Sequence, residues 1–202
     1  MKSISLNIII FLCILCFSNL IILGMLHTFQ APLGGHYINE LEQLRDAIWH
    51  YLLFRDENIL IGHERLTMLE ERHLLDVKHL LQVLFHVAGV LSFILIIGLY
   101  ILRKRWSCIF KKVGLFGCLF TVSILLLTMV LGFRTAFIWF HSMLFIENTW
   151  WFDSNSSLIQ VFPLVYFQQF IVIFCLISFL GFALIYCLAK LLGLSGMWGR
   201  PK

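Results

Sequence analysis

The chain has 202 residues, of which 60% are hydrophobic and 13% are charged, and its formal net charge is +4. Soluble domains carry about 25% charged residues, so this composition excludes an ordinary soluble protein. The excess of basic residues is explained by the membrane topology described below, and we expect no nucleic-acid partner.

Four apolar windows are long enough to cross a bilayer, which takes about 20 mostly apolar residues. They cover roughly residues 4–26, 79–102, 113–137 and 164–188. The sequence therefore predicts an all-α membrane protein with four transmembrane helices, in which residues 1–202 form a single membrane domain.

Basic residues near the ends of these windows set the orientation, because positive charge is retained on the cytoplasmic side. Both termini and the second connection are basic, with Lys2, Arg103, Lys104, Arg105, Lys111, Lys112, Lys190, Arg200 and Lys202. The first connection, residues 27–78, instead has nine acidic and five basic residues. We therefore expect both termini inside and two extracytoplasmic segments, residues 27–78 and 138–163.

The first outer segment contains an amphipathic pattern. Apolar residues recur at helical spacing at Ile38, Leu41, Leu44, Ile48, Trp49 and Leu52, with charged residues on the opposite face. This pattern predicts an extracytoplasmic helix that lies on the membrane surface or packs on its neighbours. A second helical pattern follows Gly62 and continues into the second window.

Polar residues collect at the outer ends of the second and third windows. His73 and Asp76 are three residues apart and share one helix face, while His141 is followed by Glu147, Asn148 and Asp153. Windows separated by a short connection are expected to be antiparallel neighbours. We therefore predict one site at the outer membrane surface.

A histidine beside a carboxylate is the basic unit of general base catalysis, because the carboxylate fixes the tautomer and stabilises the imidazolium. His73 with Asp76 fits this role, and His141 could share the proton transfer or bind an oxyanion. Structural polar contacts and a metal site built from these three residues are the alternatives. Ser142 lacks a nucleophile-elbow signature, so acyl chemistry would take its nucleophile from the substrate.

Two motifs resemble those of the lipoprotein intramolecular transacylase family of bacterial membrane proteins. The first is a histidine followed by Asp-Val-Lys, matched by His73, Asp76, Val77 and Lys78. The second is matched by Phe140, His141, Asn148, Trp150, Asp153, Leu158, Ile159, Pro163, Tyr166 and Phe167. The chain departs from the family pattern at Ile146 and Leu164, where the family usually has an aromatic and an acidic residue.

The resemblance implies transfer of the sn-2 acyl chain of a diacylglyceryl-modified lipoprotein onto the α-amine of its own N-terminal cysteine. It implies a multi-pass protein of the bacterial cytoplasmic membrane, with an active site on the extracytoplasmic side and with lipoproteins and membrane lipid as partners. We expect no cofactor and a monomer. The predicted catalytic residues are His73, Asp76 and His141, and the predicted substrate-binding residues are Lys78, Arg134, Phe140, Asn148, Trp150 and Asp153.

Two other functions remain open at this point. In a non-enzymatic membrane subunit or lipid-binding scaffold, the histidines would be buried polar contacts only. In a metal-dependent membrane hydrolase, they would bind zinc. Arg134 likewise has two interpretations, since it could snorkel to lipid headgroups or hold an anion.

Overall fold

A computed structural model describes residues 2–26, 38–54, 65–101, 106–145 and 149–198. These residues form helices and contain no strand. The helices are α1 (Lys2–Leu26), α2 (Ile38–Phe54), α3 (Met68–Ile101), α4 (Trp106–Leu131), α5 (Phe133–Leu144), α6 (Ser157–Val161) and α7 (Leu164–Trp198).

Three helices in the described part of the chain, α3, α4 and α7, are long and apolar enough to cross a membrane. In α1, the stretch Asn7–Ile22 is a shorter apolar helix. The protein is therefore an all-helical, multi-pass membrane protein. The fourth span and the orientation stay predictions.

Contacts between residues in the folded chain define two compact units. The first contains residues 1–22, 85–127 and 171–202. Its core is formed by Ile10, Ile109, Val113 and Phe182. Gly117 is required for this packing, because a Cβ atom there would lie 2.1 Å from the Phe182 ring. The prediction of a single membrane domain stays a prediction.

The second unit contains residues 23–84 and 128–170. Within its described residues lie α2, the first half of α3, α5, α6 and the start of α7. Leu41, Leu44 and Ile48 are buried on one face of α2, as the amphipathic pattern indicated. Because all the described histidine and carboxylate residues of the two motifs fall in this unit, the candidate site can be built from it alone.

A glycine separates α4 from α5. The third apolar window was predicted to run as one span to residue 137, but α4 ends at Leu131 and α5 begins at Phe133. Gly132 between them has φ 79° and ψ 136°, a backbone conformation that is almost exclusive to glycine. Its carbonyl accepts the first hydrogen bonds of α5, from the Thr135 and Ala136 amides. Gly132 therefore sets the direction of the helix that carries His141.

Candidate active site

His73 and His141 face each other inside the second unit. His73 projects from the second turn of α3 and His141 from the last turn of α5. Their ring centroids are 6.3 Å apart, and each residue is only 8% exposed. Ring nitrogens extend beyond the centroids, and each can hydrogen-bond an oxygen at about 2.8 Å. One oxygen atom placed between the two rings could therefore contact both.

The backbone of α5 fixes the tautomer of His141. Nδ1 of His141 lies 2.9 Å from the carbonyl oxygen of Phe137, one turn earlier on the same helix. A carbonyl oxygen can only accept a hydrogen bond, so the neutral ring that makes this contact carries its proton on Nδ1. Nε2 of His141 is then left with a free lone pair, which is the requirement for a general base.

Aromatic rings enclose both histidines. Phe145 contacts both, with ring centroids 4.8 Å from His73 and 5.5 Å from His141. Phe152 packs edge-on against His73 at 5.5 Å, and Trp150 lies 5.3 Å from His141. Among the described rings, that of Phe137 lies closest to His141, at 3.8 Å. An enclosure of this kind is apolar and offers little solvation to charge.

The enclosure has an electrostatic consequence for His141. Burial lowers the pKa of His141 from its ordinary value, because the imidazolium loses its hydration, and the hydrogen bond to the Phe137 carbonyl opposes this shift only in part. The His141 ring is therefore neutral at physiological pH. Since the two rings face each other, protonation of one also disfavours protonation of the other.

Glu70 joins the two sequence motifs. Its carboxylate is 1% exposed and accepts hydrogen bonds at both oxygens. Oε2 accepts from the amide and the hydroxyl of Thr67, at 2.7 and 2.9 Å, which closes a capping box at the start of α3. Oε1 accepts from the Ser156 hydroxyl at 2.5 Å and from the Leu158 amide at 3.0 Å, at the start of α6. Glu70 therefore holds the end of α3 that carries His73 against the segment that follows His141.

The sequence did not single out Glu70 as a site residue. The sequence does contain a pattern that indicates part of its role, because Thr67 and Glu70 have the spacing of a capping box ahead of an apolar helix. The second half of its role could not be read from the sequence, since Ser156 and Leu158 are more than 80 residues away.

Asp76 does not hold His73 in this structure. Asp76 is half-buried on α3, and within the described residues no hydrogen bond or ion pair joins the two side chains. Nδ1 of His73 is buried without a partner among the described residues. The orientation of His73 depends instead on the rings of Phe145 and Phe152.

The other predicted site residues differ in their placement. Trp150 and Phe140 contact His141, the latter edge-on at 5.6 Å, although Phe140 is 52% exposed. Arg134 is exposed on the first turn of α5. Asp153 is also exposed, and its carboxylate accepts a hydrogen bond from the Ser154 amide at 2.8 Å. Asn148, together with Glu147, lies outside the described residues.

Lys78 is the most unusual of the predicted binding residues, because its side chain is 2% exposed. Its Nζ atom lies 3.9 Å from the centroid of the Tyr51 ring on α2. Such a cation–π contact stabilises a buried ammonium group only in part. No described residue accepts a hydrogen bond from Nζ.

The described residues contain no cluster of three histidine, cysteine, aspartate or glutamate side chains arranged to hold a metal ion. A cavity of about 180 Å³ lies in the first unit, lined by Asn7, Ile8, Phe11, Lys112, Val113 and Phe116. None of the predicted site residues lines it.

Comparisons with known proteins point to one family. The family model described as lipoprotein intramolecular transacylase Lit matches residues 3–167. An uncharacterised protein from Aquifex aeolicus is 30% identical over 113 residues, which cover 56% of this chain and 51% of that protein. The match thus spans about half the length of this curated relative.

Solved structures show the same fold. The in meso structure of lipoprotein intramolecular transacylase Lit from Bacillus cereus superimposes with a TM-score of 0.80 at 20% identity, covering 98% of this chain and 97% of that one. A structure of the same protein with a histidine-to-arginine substitution gives a TM-score of 0.73 at 19% identity, covering 98% and 93% of the two chains.

Proposed function

The chain belongs to the lipoprotein intramolecular transacylase family, whose name denotes an acyltransferase, and on this premise we propose that it transfers an acyl chain within a single lipoprotein molecule. The substrate is a diacylglyceryl-modified lipoprotein. Its sn-2 acyl chain moves to the α-amine of its own N-terminal cysteine, and the product is a lyso-form lipoprotein.

The observation that carries this proposal is the facing pair of buried histidines in an aromatic enclosure. The reaction needs a base for the amine, a hydrogen-bond donor for the tetrahedral oxyanion and an apolar space for acyl chains. His141 can serve as the base at Nε2, because Nδ1 is already committed to the Phe137 carbonyl. His73, on the opposite side, can donate to the oxyanion from a ring nitrogen.

The chemical steps can be assigned to these two residues. The neutral amine attacks the sn-2 ester carbonyl, a C–N bond forms, and Nε2 of His141 accepts the proton that the nitrogen loses. The tetrahedral intermediate then collapses, the ester C–O bond breaks, and His141 returns the proton to the departing sn-2 oxygen. Amine and ester belong to one molecule, so orientation replaces a second encounter and effective molarities of about 10⁵ M or more are attainable.

The proposed setting is the bacterial cytoplasmic membrane. The four apolar windows support four spans. The distribution of basic residues supports both termini inside, which would place the histidine pair on the extracytoplasmic side. That is the side on which the lipid anchor of a secreted lipoprotein is embedded. In this proposal Lys78, Arg134, Phe140, Asn148, Trp150 and Asp153 contact the substrate, and Asp76 acts on His73 only after a rearrangement.

Mass spectrometry of the N-terminal lipopeptide of a reporter lipoprotein tests the proposal. The reporter is produced with the wild-type chain, with His141→Asn, or with His79→Asn as the matched control, because His79 is exposed on α3. Asparagine keeps a donor near the position of Nδ1 but removes the base. We expect N-acylated, lyso-form reporter with wild type and His79→Asn, and a loss of about 10²-fold or more with His141→Asn.

Two outcomes would contradict this proposal. Unchanged acyl positions with the wild-type chain would eliminate the transacylase function and favour a scaffold. Full activity of His141→Asn, at an equal membrane level, would eliminate His141 as the base. Loss of activity on chelation, restored by zinc, would instead support the metal-dependent alternative.

A further inference from the structure

The second unit contains buried polar atoms that no described residue pairs, and all of them are able to donate a hydrogen bond. They are Arg45 Nη1, Trp49 Nε1, His73 Nδ1, Lys78 Nζ and Tyr166 Oη. Buried polar groups in folded proteins are nearly always paired. A set of unpaired donors, two of them cationic, therefore indicates an acceptor group that binds to the folded chain.

Three of these donors lie together, and we call Arg45, Trp49 and Tyr166 the donor cluster. Arg45 and Trp49 are four residues apart on α2, so they share a helix face. The Tyr166 hydroxyl, at the start of α7, lies close to both side chains. Phe162 packs edge-on against Trp49 at 5.9 Å and against Tyr166 at 5.4 Å. Arg45 Nη1, Trp49 Nε1 and Tyr166 Oη are each buried without a hydrogen-bond partner among the described residues.

The donor cluster carries a buried positive charge that is only weakly paired. Arg45 is 5% exposed. Its described acidic partner is Glu42, whose Oε1 lies 4.0 Å from Nη2 and whose side chain is 41% exposed. This separation exceeds a hydrogen bond, and a partly exposed pair of this kind is weak. Asp46, also on α2, is exposed. Buried charges in proteins are normally closely paired with a group of opposite charge.

We propose that the donor cluster binds the phosphate of a phospholipid headgroup. The planar guanidinium of Arg45 matches the geometry of phosphate oxygens. Trp49 and Tyr166 can donate to the remaining oxygens, and both residue types concentrate at the membrane–water interface. Basic pockets between helices of membrane proteins bind lipid headgroups in this way.

The bound lipid would stabilise the position of α2. The unpaired donor atoms have no exposed surface, and α2 packs against α6, so a headgroup enters only when α2 moves away from Phe162. Once bound, the phosphate supplies the acceptors that the cluster lacks and stabilises α2 in place. This site uses neither His73 nor His141, and it does not depend on the proposed function.

Thermal unfolding of the purified full chain in an uncharged maltoside detergent tests the proposal. The unfolding temperature is measured with phosphatidylglycerol, with diacylglycerol, which has the same ester groups but no phosphate, and with inorganic phosphate. We expect a concentration-dependent rise with phosphatidylglycerol alone. A rise of equal size with diacylglycerol overturns the phosphate assignment, and one with inorganic phosphate overturns the lipid source.

Two variants identify the donor cluster as the site. Arg45→Met and Tyr166→Phe each remove the donor group of one residue, and Arg72→Met on the exposed face of α3 is the matched control. Without phospholipid, Arg45→Met should unfold at the same temperature as wild type or higher, because it removes a buried charge whose ion pair with Glu42 is weak. With phosphatidylglycerol, its apparent affinity should fall at least about tenfold, since a hydrogen bond to a charged group is lost.

Tyr166→Phe keeps the ring contacts of Tyr166 and should also weaken the response to phosphatidylglycerol. This variant therefore tests the site if Arg45→Met fails to fold. The proposal is refuted if both folded variants respond to phosphatidylglycerol as wild type does. It is also refuted if Arg72→Met loses the response to the same extent.

Discussion

Replacing Glu70 by glutamine should strongly destabilise the protein. The carboxylate is buried and accepts four hydrogen bonds, two at each oxygen. Glutamine keeps one acceptor oxygen and puts an NH₂ group in place of the other. Two donors then lose their acceptor, whichever way the amide is oriented.

The size of the effect follows from these contacts. Hydrogen bonds to a charged group contribute about 1.5–3 kcal/mol each, so the loss of two lowers the free energy of unfolding by about 3–6 kcal/mol. Hydroxyl rotation at Thr67 or Ser156 can recover part of this loss, which makes about 3 kcal/mol the expected value. Such a change is a large fraction of a typical stability of about 5–15 kcal/mol.

The assay is equilibrium unfolding in mixed micelles, followed by far-UV circular dichroism, for wild type, Glu70→Gln and the matched control Glu71→Gln. Glu71 is the next residue on α3 and is only half-buried. We expect the control to change stability by less than about 1 kcal/mol. Equal loss of stability in the two variants would refute the conclusion that Glu70 joins α3 to α6.

Two further predictions concern α5. Gly132→Ala should lower the free energy of unfolding by about 1–3 kcal/mol, because Gly132 has φ 79° and only glycine adopts this conformation without strain. Chemical unfolding measures this loss, and an unchanged free energy of unfolding would contradict the prediction. The second concerns pH. Burial lowers the pKa of His141 in the folded state, whereas the unfolded chain titrates near the ordinary value of about 6.5. The stabilisation due to neutral His141 is therefore complete above about pH 6.5 and is lost as the pH falls towards the folded-state pKa. The unfolding temperature of His141→Asn should fall less steeply below pH 6.5 than that of wild type, and parallel curves would contradict this.

The sequence was sufficient for those features that depend on local spacing and composition. Apolar windows predicted the long helices, because a bilayer span requires length and hydrophobicity and little else. The pattern from Ile38 to Leu52 predicted α2, and the fourth apolar window predicted the start of α7. The motifs also singled out His73 and His141, and the family itself could be identified from them.

Only the tertiary structure decided which of these residues meet. Three features involve segments that are far apart in the chain. They are the distance between the His73 and His141 rings, the hydrogen bonds from Glu70 to α6, and the burial of Lys78. Local spacing suggested that Asp76 would orient His73, but the folded chain surrounds His73 with aromatic rings instead. The sequence also did not reveal the helix break at Gly132, because the apolar composition continues across this residue while the backbone turns. These features depend on packing between distant segments, which residue spacing along one helix does not determine.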